Sequence, residues 1–208
     1  MVAILSAPVG VVLAGGLSTR LGGGDKPLLE IGGSSLLSRV VAALSPQCRE
    51  IVLNANGDPA RFCALGLPVV ADEGARSLGP LGGILAGLDW IAAQRPDVED
   101  ALFAPGDAPF LPADLSQRLE AARRAAGAPI ACARSSGRTH HVVALWPVAL
   151  RSELREALHD EGLRRVGLFL ARKNCAFAEW PAEPLDPFFN VNAPEDLRLA
   201  RQIAQRRG

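Results

Sequence analysis

VVLAGGLSTRLGGGDKPLLEIGG, residues 11–33, sets an apolar run directly against glycines and then delivers Arg20, Asp25 and Lys26 in quick succession. Val9 to Leu13 has no polar break, which suits a buried central strand better than a helix, and Ala14-Gly15-Gly16 ends it at once. Without Cβ atoms the backbone can turn through positive φ and offer free N–H groups to an anion. Arg20 adds a planar fork and Lys26 a compact charge, both suited to phosphate oxygens. The stretch therefore reads as a strand opening into a phosphate cradle, with a glycine-rich surface turn as its rival. No G-x-x-x-x-G-K-[ST] and no helix-opening G-x-G-x-x-G is present, so Walker-type ATPase and dinucleotide dehydrogenase readings lose their main support.

The rest of the chain must bury that strand. With 208 residues, 49% hydrophobic and 21% charged, a disordered or fibrous chain is excluded and one globular domain is expected. Twenty-two basic residues balance 22 acidic ones, leaving no overall field for nucleic acid or anionic lipid; an anion must be held locally. The pairs Arg123-Arg124, Arg164-Arg165 and Arg206-Arg207 read as solvated helix faces. Cys48, Cys63, Cys132 and Cys175 form no C-x-x-C pair, which argues against a zinc site or disulfide framework and for a reducing cytoplasm. Met1 to Leu13 lacks the basic start of a signal peptide, and Pro, Gly and charges interrupt every later apolar stretch, so no membrane partner is expected.

Downstream, the opening design repeats. Leu28 to Ile31 is a short extended piece, and Ser34 or Ser35 caps a helix predicted over 36–44. Ile51 to Leu53 reads as a strand ending at Asn54, and Pro68 to Val70 as another ending at Asp72. Asn56 to Pro59 reads as a plain turn. Gly79-Pro80-Leu81-Gly82-Gly83 opens a helix; its glycines serve either a ligand at the helix N-terminus or close packing. Ala101 to Ala104 is a strand delivering Pro105-Gly106-Asp107, where a carboxylate beside phosphates suits Mg²⁺, the other reading being an Asx turn or helix cap. A helix is predicted from Pro112 to Ala126, strands over 129–133 and 142–146, and a polar loop over 134–138 between them. His140 and His141 point to opposite faces of the second strand, so at most one of them, with Arg138, meets an anionic substrate. Helices follow over 148–159 and 163–171, then an edge strand over 176–180, the run FFNVN from Phe188 to Asn192, and a last amphipathic helix from Pro194. Alternating strands and helices imply an α/β fold: a single-domain, Rossmann-like three-layer sandwich with a mainly parallel central sheet. Ligands of such sheets bind beyond the carboxyl ends of the strands. The nucleotide-binding half then spans about 1–110 and the acceptor-binding half about 111–208.

LAGGLSTRLGGGDKPLLEIGG, the Asn-Ala-Asn at 54–56, VVAD ending in Asp72, GPLGG and FFNVNAPEDL together resemble the molybdenum cofactor guanylyltransferase family, from Val9 nearly to Asp196. The resemblance implies a fold of the nucleotide-diphospho-sugar transferase type and GTP and molybdopterin as substrates. It further implies transient contact with other proteins of molybdenum cofactor biosynthesis. By it, Leu13, Ala14, Gly15, Lys26, Asn54, Asp72 and Asp107 contact GTP and Asp107 also holds Mg²⁺; the charges of the residues themselves make Arg20, Lys26 and Asp107 the expected catalytic set. Arg138, His141, Asn190 and Asn192 are the pterin-side candidates. The chain departs from the family's usual Cys-Asp-Thr-Pro at Pro105 to Pro109 and from its His-Pro at His141-Val142. Guanine presents donors on its Watson–Crick edge, which acceptors such as Asp72 or the Asn54 carbonyl select. A transferase using CTP on the same cofactor, one acting on a sugar phosphate, and a non-catalytic nucleotide carrier are the alternatives.

Overall fold

A computed structural model describes residues 7–15, 25–73 and 78–207 of the protein. The apolar run becomes β1 (Val9–Leu13), and the other strands follow the expected punctuation. They are the hairpin of β2 (Glu30–Ile31) and β3 (Ser34–Ser35), then β4 (Glu50–Asn54), β5 (Val69–Val70), β6 (Asp100–Pro105), β7 (Ala131–Ser135), β8 (Arg138–Pro147) and β9 (Ala176–Trp180). The helices are α1 (Leu36–Leu44), α2 (Pro80–Gln94), α3 (Leu115–Ala126), α4 (Arg151–His159), α5 (Val166–Arg172) and α6 (Pro194–Arg207). Ser35 caps α1, its hydroxyl accepting from Ser38 N at 3.0 Å, a contact typically worth about 1 kcal/mol.

Seven strands form one sheet in the order β5-β4-β1-β6-β8-β7-β9. Every neighbouring pair is parallel except the two that involve β8, which runs antiparallel to both β6 and β7. Strand alternation sends Val9 and Val11 to one face, where they pack with α2, α4 and α5, and Val12 to the other, against α1 and α3. Trp146 anchors the first core, edge-on to Phe103 and stacked on Phe169 with centroids 5.4 Å apart. A third, smaller core lies where α6 packs on the β2–β3 hairpin, around Ile31, Val191 and Ala200. The fold is thus the expected α/β sandwich.

Several local expectations are corrected. Residues 134–138 do not form a loop; Ser136 and Gly137 take positive φ (45° and 74°) as a two-residue turn, and β7 and β8 pair through Arg134 and Ser135. The predicted helix from Pro112 starts at Leu115 instead. Val148 to Leu150 is a separate 3-10 turn ahead of α4, and α5 begins at Val166. Arg123 is not a solvated cation: its fork bonds both oxygens of Asp100 at 2.6 and 2.7 Å and pairs with Glu120. Arg164 likewise donates to the carbonyls of Leu158, in the last turn of α4, and of Leu163.

Candidate nucleotidyl-transfer site

The carboxyl ends of β1, β4, β5 and β6 emerge side by side because these strands are adjacent and parallel. Backbone bonds carry the ladder past the strands: Ala14 N donates to Asn54 O at 2.8 Å and Gly106 N to Leu13 O at 2.9 Å. A recess of about 240 Å³ opens on this edge, lined by Leu13, Ala14, Gly15, Lys26, Asn54, Asn56, Asp72, Asp107 and Val142 among others. A larger hollow of about 570 Å³ lies at the other end of the sheet, beside Pro8, Asp100 and α3, and contains none of the candidate residues.

At one side of the recess the acceptors form a cluster. Asn54, 5% exposed, donates through Nδ2 to Val70 O at 3.2 Å and to Asp72 Oδ1 at 2.9 Å. Asn56 donates to Asp72 Oδ2 at 3.0 Å and accepts from Asp72 N at 2.8 Å. Asp72 is therefore held at its backbone and at both carboxylate oxygens, and the remaining lone pairs of that carboxylate are pre-aimed acceptors. The turn reading of Asn56 is incomplete. Asn54 and Asn56 are two residues apart on extended chain, so their side chains share a side, the pattern from which the pairing was readable.

At the other side Lys26, at the start of a 3-10 turn (Lys26–Leu28), pairs with Asp107 Oδ2 and donates to Asn192 Oδ1 at 2.6 Å. Asn192 arrives from the far half of the chain, steered by Val191 N donating to Asp107 O at 3.0 Å and by Asp196 accepting from the N–H groups of Asn192 and Ala193. Asp107 Oδ1 is buried and has no hydrogen-bond partner among the described residues. An unpartnered carboxylate oxygen beside a lysine fits a single-carboxylate Mg²⁺ site, in which phosphates and water supply the other oxygens. No three His, Cys, Asp or Glu among the described residues converge to hold an ion by themselves.

Of the sequence-derived candidates, Leu13, Ala14, Gly15, Lys26, Asn54, Asp72 and Asp107 line this one recess, with Asn192 bonded to its lysine. Arg20 lies outside the described residues. Asn190 sits half-buried two residues before Asn192. Arg138 is exposed at the start of β8, and His141 is exposed in a different hollow, with Gly167, Leu170, Cys175 and Phe177; neither lines the recess. His140 faces the opposite way, as alternation requires. It is 9% exposed, within 2.7 Å of Ser135 Oγ, and packed on Phe188 with ring centroids 4.7 Å apart. Ser135 Oγ in turn donates to Asp186 Oδ1, which also accepts from Phe188 N, so this network braces the run that carries Asn192.

The model of the MobA-like NTP transferase domain matches residues 10–173, the span that builds β1 through α5. The chain belongs to this family. A molybdenum cofactor guanylyltransferase of Rhodopseudomonas palustris (strain BisB5) is 59% identical over 196 residues, 94% of this chain and 93% of the relative. The crystal structure of molybdopterin-guanine dinucleotide biosynthesis protein A from Archaeoglobus fulgidus has a TM-score of 0.72 at 23% identity and covers 95% and 99% of the two chains. A manganese complex of Rv0371C from Mycobacterium tuberculosis has the same fold, with a TM-score of 0.69 at 18% identity and coverage of 95% and 99%. Membership makes the protein a nucleotidyltransferase. Among its described residues no helix is long and apolar enough to cross a membrane.

Proposed function

We propose that the protein transfers GMP from GTP to the phosphate of molybdopterin, forming molybdopterin guanine dinucleotide and releasing pyrophosphate. The observation that carries the reading is the recess in which an acceptor carboxylate, Asp72 braced by Asn54 and Asn56, lies across from Lys26, Asp107 and Asn192. The name carried by the Rhodopseudomonas relative supports the same chemistry. Guanine places its N1–H and exocyclic amine against the carboxylate of Asp72, and the phosphates lie along the glycine N–H groups toward Lys26.

The acceptor phosphate oxygen attacks the α-phosphorus, a new P–O bond forms, and the bond from that phosphorus to the oxygen bridging the β-phosphate breaks, so the electron pair leaves with pyrophosphate. A phosphate monoester with its second pKa near 6 is already largely a dianion at neutral pH, so no general base is needed. The residues supply positioning and charge. Lys26 offsets charge growing on the leaving group, together with Arg20. Asp107, through its unpartnered Oδ1, would hold Mg²⁺, and the ion would supply positive charge against the nucleotide phosphates. The manganese complex of the mycobacterial neighbour supports a divalent ion in this fold. Asn192, on Lys26, marks the acceptor side, with Asn190 close by; Arg138 and His141 do not line the recess itself.

Pyrophosphate release is the test, with GTP, CTP, ATP or UTP, Mg²⁺ and molybdopterin. GTP is expected to support turnover and the others little. Asp107→Ala and Lys26→Ala are each expected to lower the rate by about 10²–10³-fold or more while the chain stays folded, the scale of losing a preorganised charge at the reacting phosphate. Full turnover in both variants, or preference for CTP, contradicts the reading.

A further inference from the structure

Arg61 lies outside every motif by which the site was found, yet its guanidinium joins the two sides of the recess. Nη1 pairs with Asp25 Oδ1 at 2.5 Å, and Nη2 donates to Asn56 O at 2.5 Å. The plane rests over the ring of buried Phe62, 4.7 Å from its centroid. Asp25 is the residue before Lys26, and its carbonyl accepts from Leu28 N to close the turn that presents the lysine. Asn56 is the residue whose side chain fixes Asp72 at its N–H and at Oδ2. A continuous line of contacts therefore runs from Asp72 through Asn56, Arg61 and Asp25 to Lys26 and Asp107. Its central piece is a rigid planar fork with two donors pointing at two different segments, an arrangement a lysine cannot reproduce.

We propose that Arg61 is a positioning residue that couples recognition of the base to placement of Lys26 on the phosphates. This rests on the guanylyl-transfer reading above. A nucleotide bound at both ends gains from the two ends being held at one spacing, because reacting groups misplaced by an ångström lose much of their rate. With Arg61 in place, a base that seats correctly on Asp72 sets the α-phosphorus against Lys26 and Asp107. Without it, the base still binds, but its seating no longer reaches the phosphates. Arg61 touches neither the base acceptor Asp72 nor the metal-side Asp107 and acts only through Asn56 and Asp25.

The experiment compares kcat/KM for GTP and for ITP, which lacks the exocyclic amine, by pyrophosphate release with molybdopterin. Arg61→Gln is expected to lower kcat/KM for GTP about tenfold or more, mainly through kcat, and to shrink the GTP-to-ITP ratio at least about threefold. Arg61→Lys keeps the charge and much of the packing on Phe62 but offers one donor point, and is expected to shrink the ratio equally. Asp25→Asn, on the phosphate side, is expected to shrink the base ratio too, and to add nothing in the Arg61→Gln background. Thermal unfolding midpoints of the variants within a few degrees of the parent exclude general loss of fold; Arg61→Lys serves if Arg61→Gln unfolds. Equal losses for GTP and ITP, an unchanged ratio in the Asp25 variant, or a parent enzyme indifferent between GTP and ITP overturns the proposal. Failure of the parent to release pyrophosphate from GTP at all overturns instead the functional reading on which it rests.

Discussion

The two oxygens of Asp107 differ: Oδ2 answers Lys26, and Oδ1 lies buried with no hydrogen-bond partner among the described residues, the observation on which the proposed metal site rests. That residue was legible because a strand end, a glycine and a proline bracket it, and Lys26 because it closes a glycine loop. Arg61 was not, since its meaning comes from Asp25, 36 positions away, and from a backbone carbonyl that no residue type announces. His140 was legible only as one of two alternating histidines; its partner is Ser135, whose hydroxyl in turn donates to Asp186 on a distant loop. Burial holds the pKa of His140 below its ordinary 6.5, and Asp186 opposes this with a smaller pull upward. The unfolded chain therefore takes up the proton first. The stability contributed by the neutral ring is complete above about pH 6.5 and is lost as pH falls from there through the lower folded-state value. Urea unfolding between about pH 7.5 and about pH 5.5 is expected to show this decline, at no more than about 1.4 kcal/mol per pH unit for one proton. His140→Gln should flatten the curve, and an identical slope in both proteins refutes the assignment.

At the scale of elements, α2 illustrates a choice the sequence left open. Gly82 and Gly83 served either a ligand at the helix end or tight packing, and packing at the site decides it. A Cβ on Gly83 would stand 2.9 Å from Asn54 Cγ, closer still to its Oδ1, and 3.1 Å from Leu13 Cδ2. One side of Asn54 is thus pressed by the helix while its amide reaches Asp72. Gly83→Ala is expected to cost about 1–3 kcal/mol of stability from overpacking. The displaced Asn54 should also loosen Asp72 and raise KM for GTP several-fold more than kcat falls. An unchanged KM in a folded variant would mean that Asn54 does not set the acceptor cluster. The β7–β8 hairpin was missed for a different reason. Its ends are polar, Arg134 and Ser135 before the turn and Arg138 after it, so no apolar run marks them, and the turn depends on Ser136 taking a left-handed conformation. Composition favoured a loop, and strand pairing overrode it.

For the whole molecule, alternation of strands and helices was enough to reveal a mainly parallel sheet, but the antiparallel insertion of β8 followed from the hairpin and was hidden with it. That insertion changes how the two expected halves relate. β8, from the acceptor half, lies against β6, which leads into Asp107, and aligns Ala101 with Trp146 and Phe103 with Ala144. The core under α2 mixes Val9, Val11 and Phe103 with Trp146, Leu154 and Phe169. Even Lys26 takes one of its partners from residue 192. The two expected halves therefore share one sheet and one core. A fragment of residues 7–128 would expose the inner edge of β6 and strip Trp146, with the Phe169 stacked on it, from Phe103, leaving an apolar face and an unpaired strand beside it. It is expected to lack cooperative thermal unfolding and to aggregate, and adding residues 129–208 as a separate chain should restore both a cooperative transition and nucleotide binding. A monomeric 7–128 fragment with a cooperative transition and GTP affinity matching the full chain would show instead that the nucleotide-binding half is self-sufficient, and that the seam through β6 and β8 contributes only to the acceptor side.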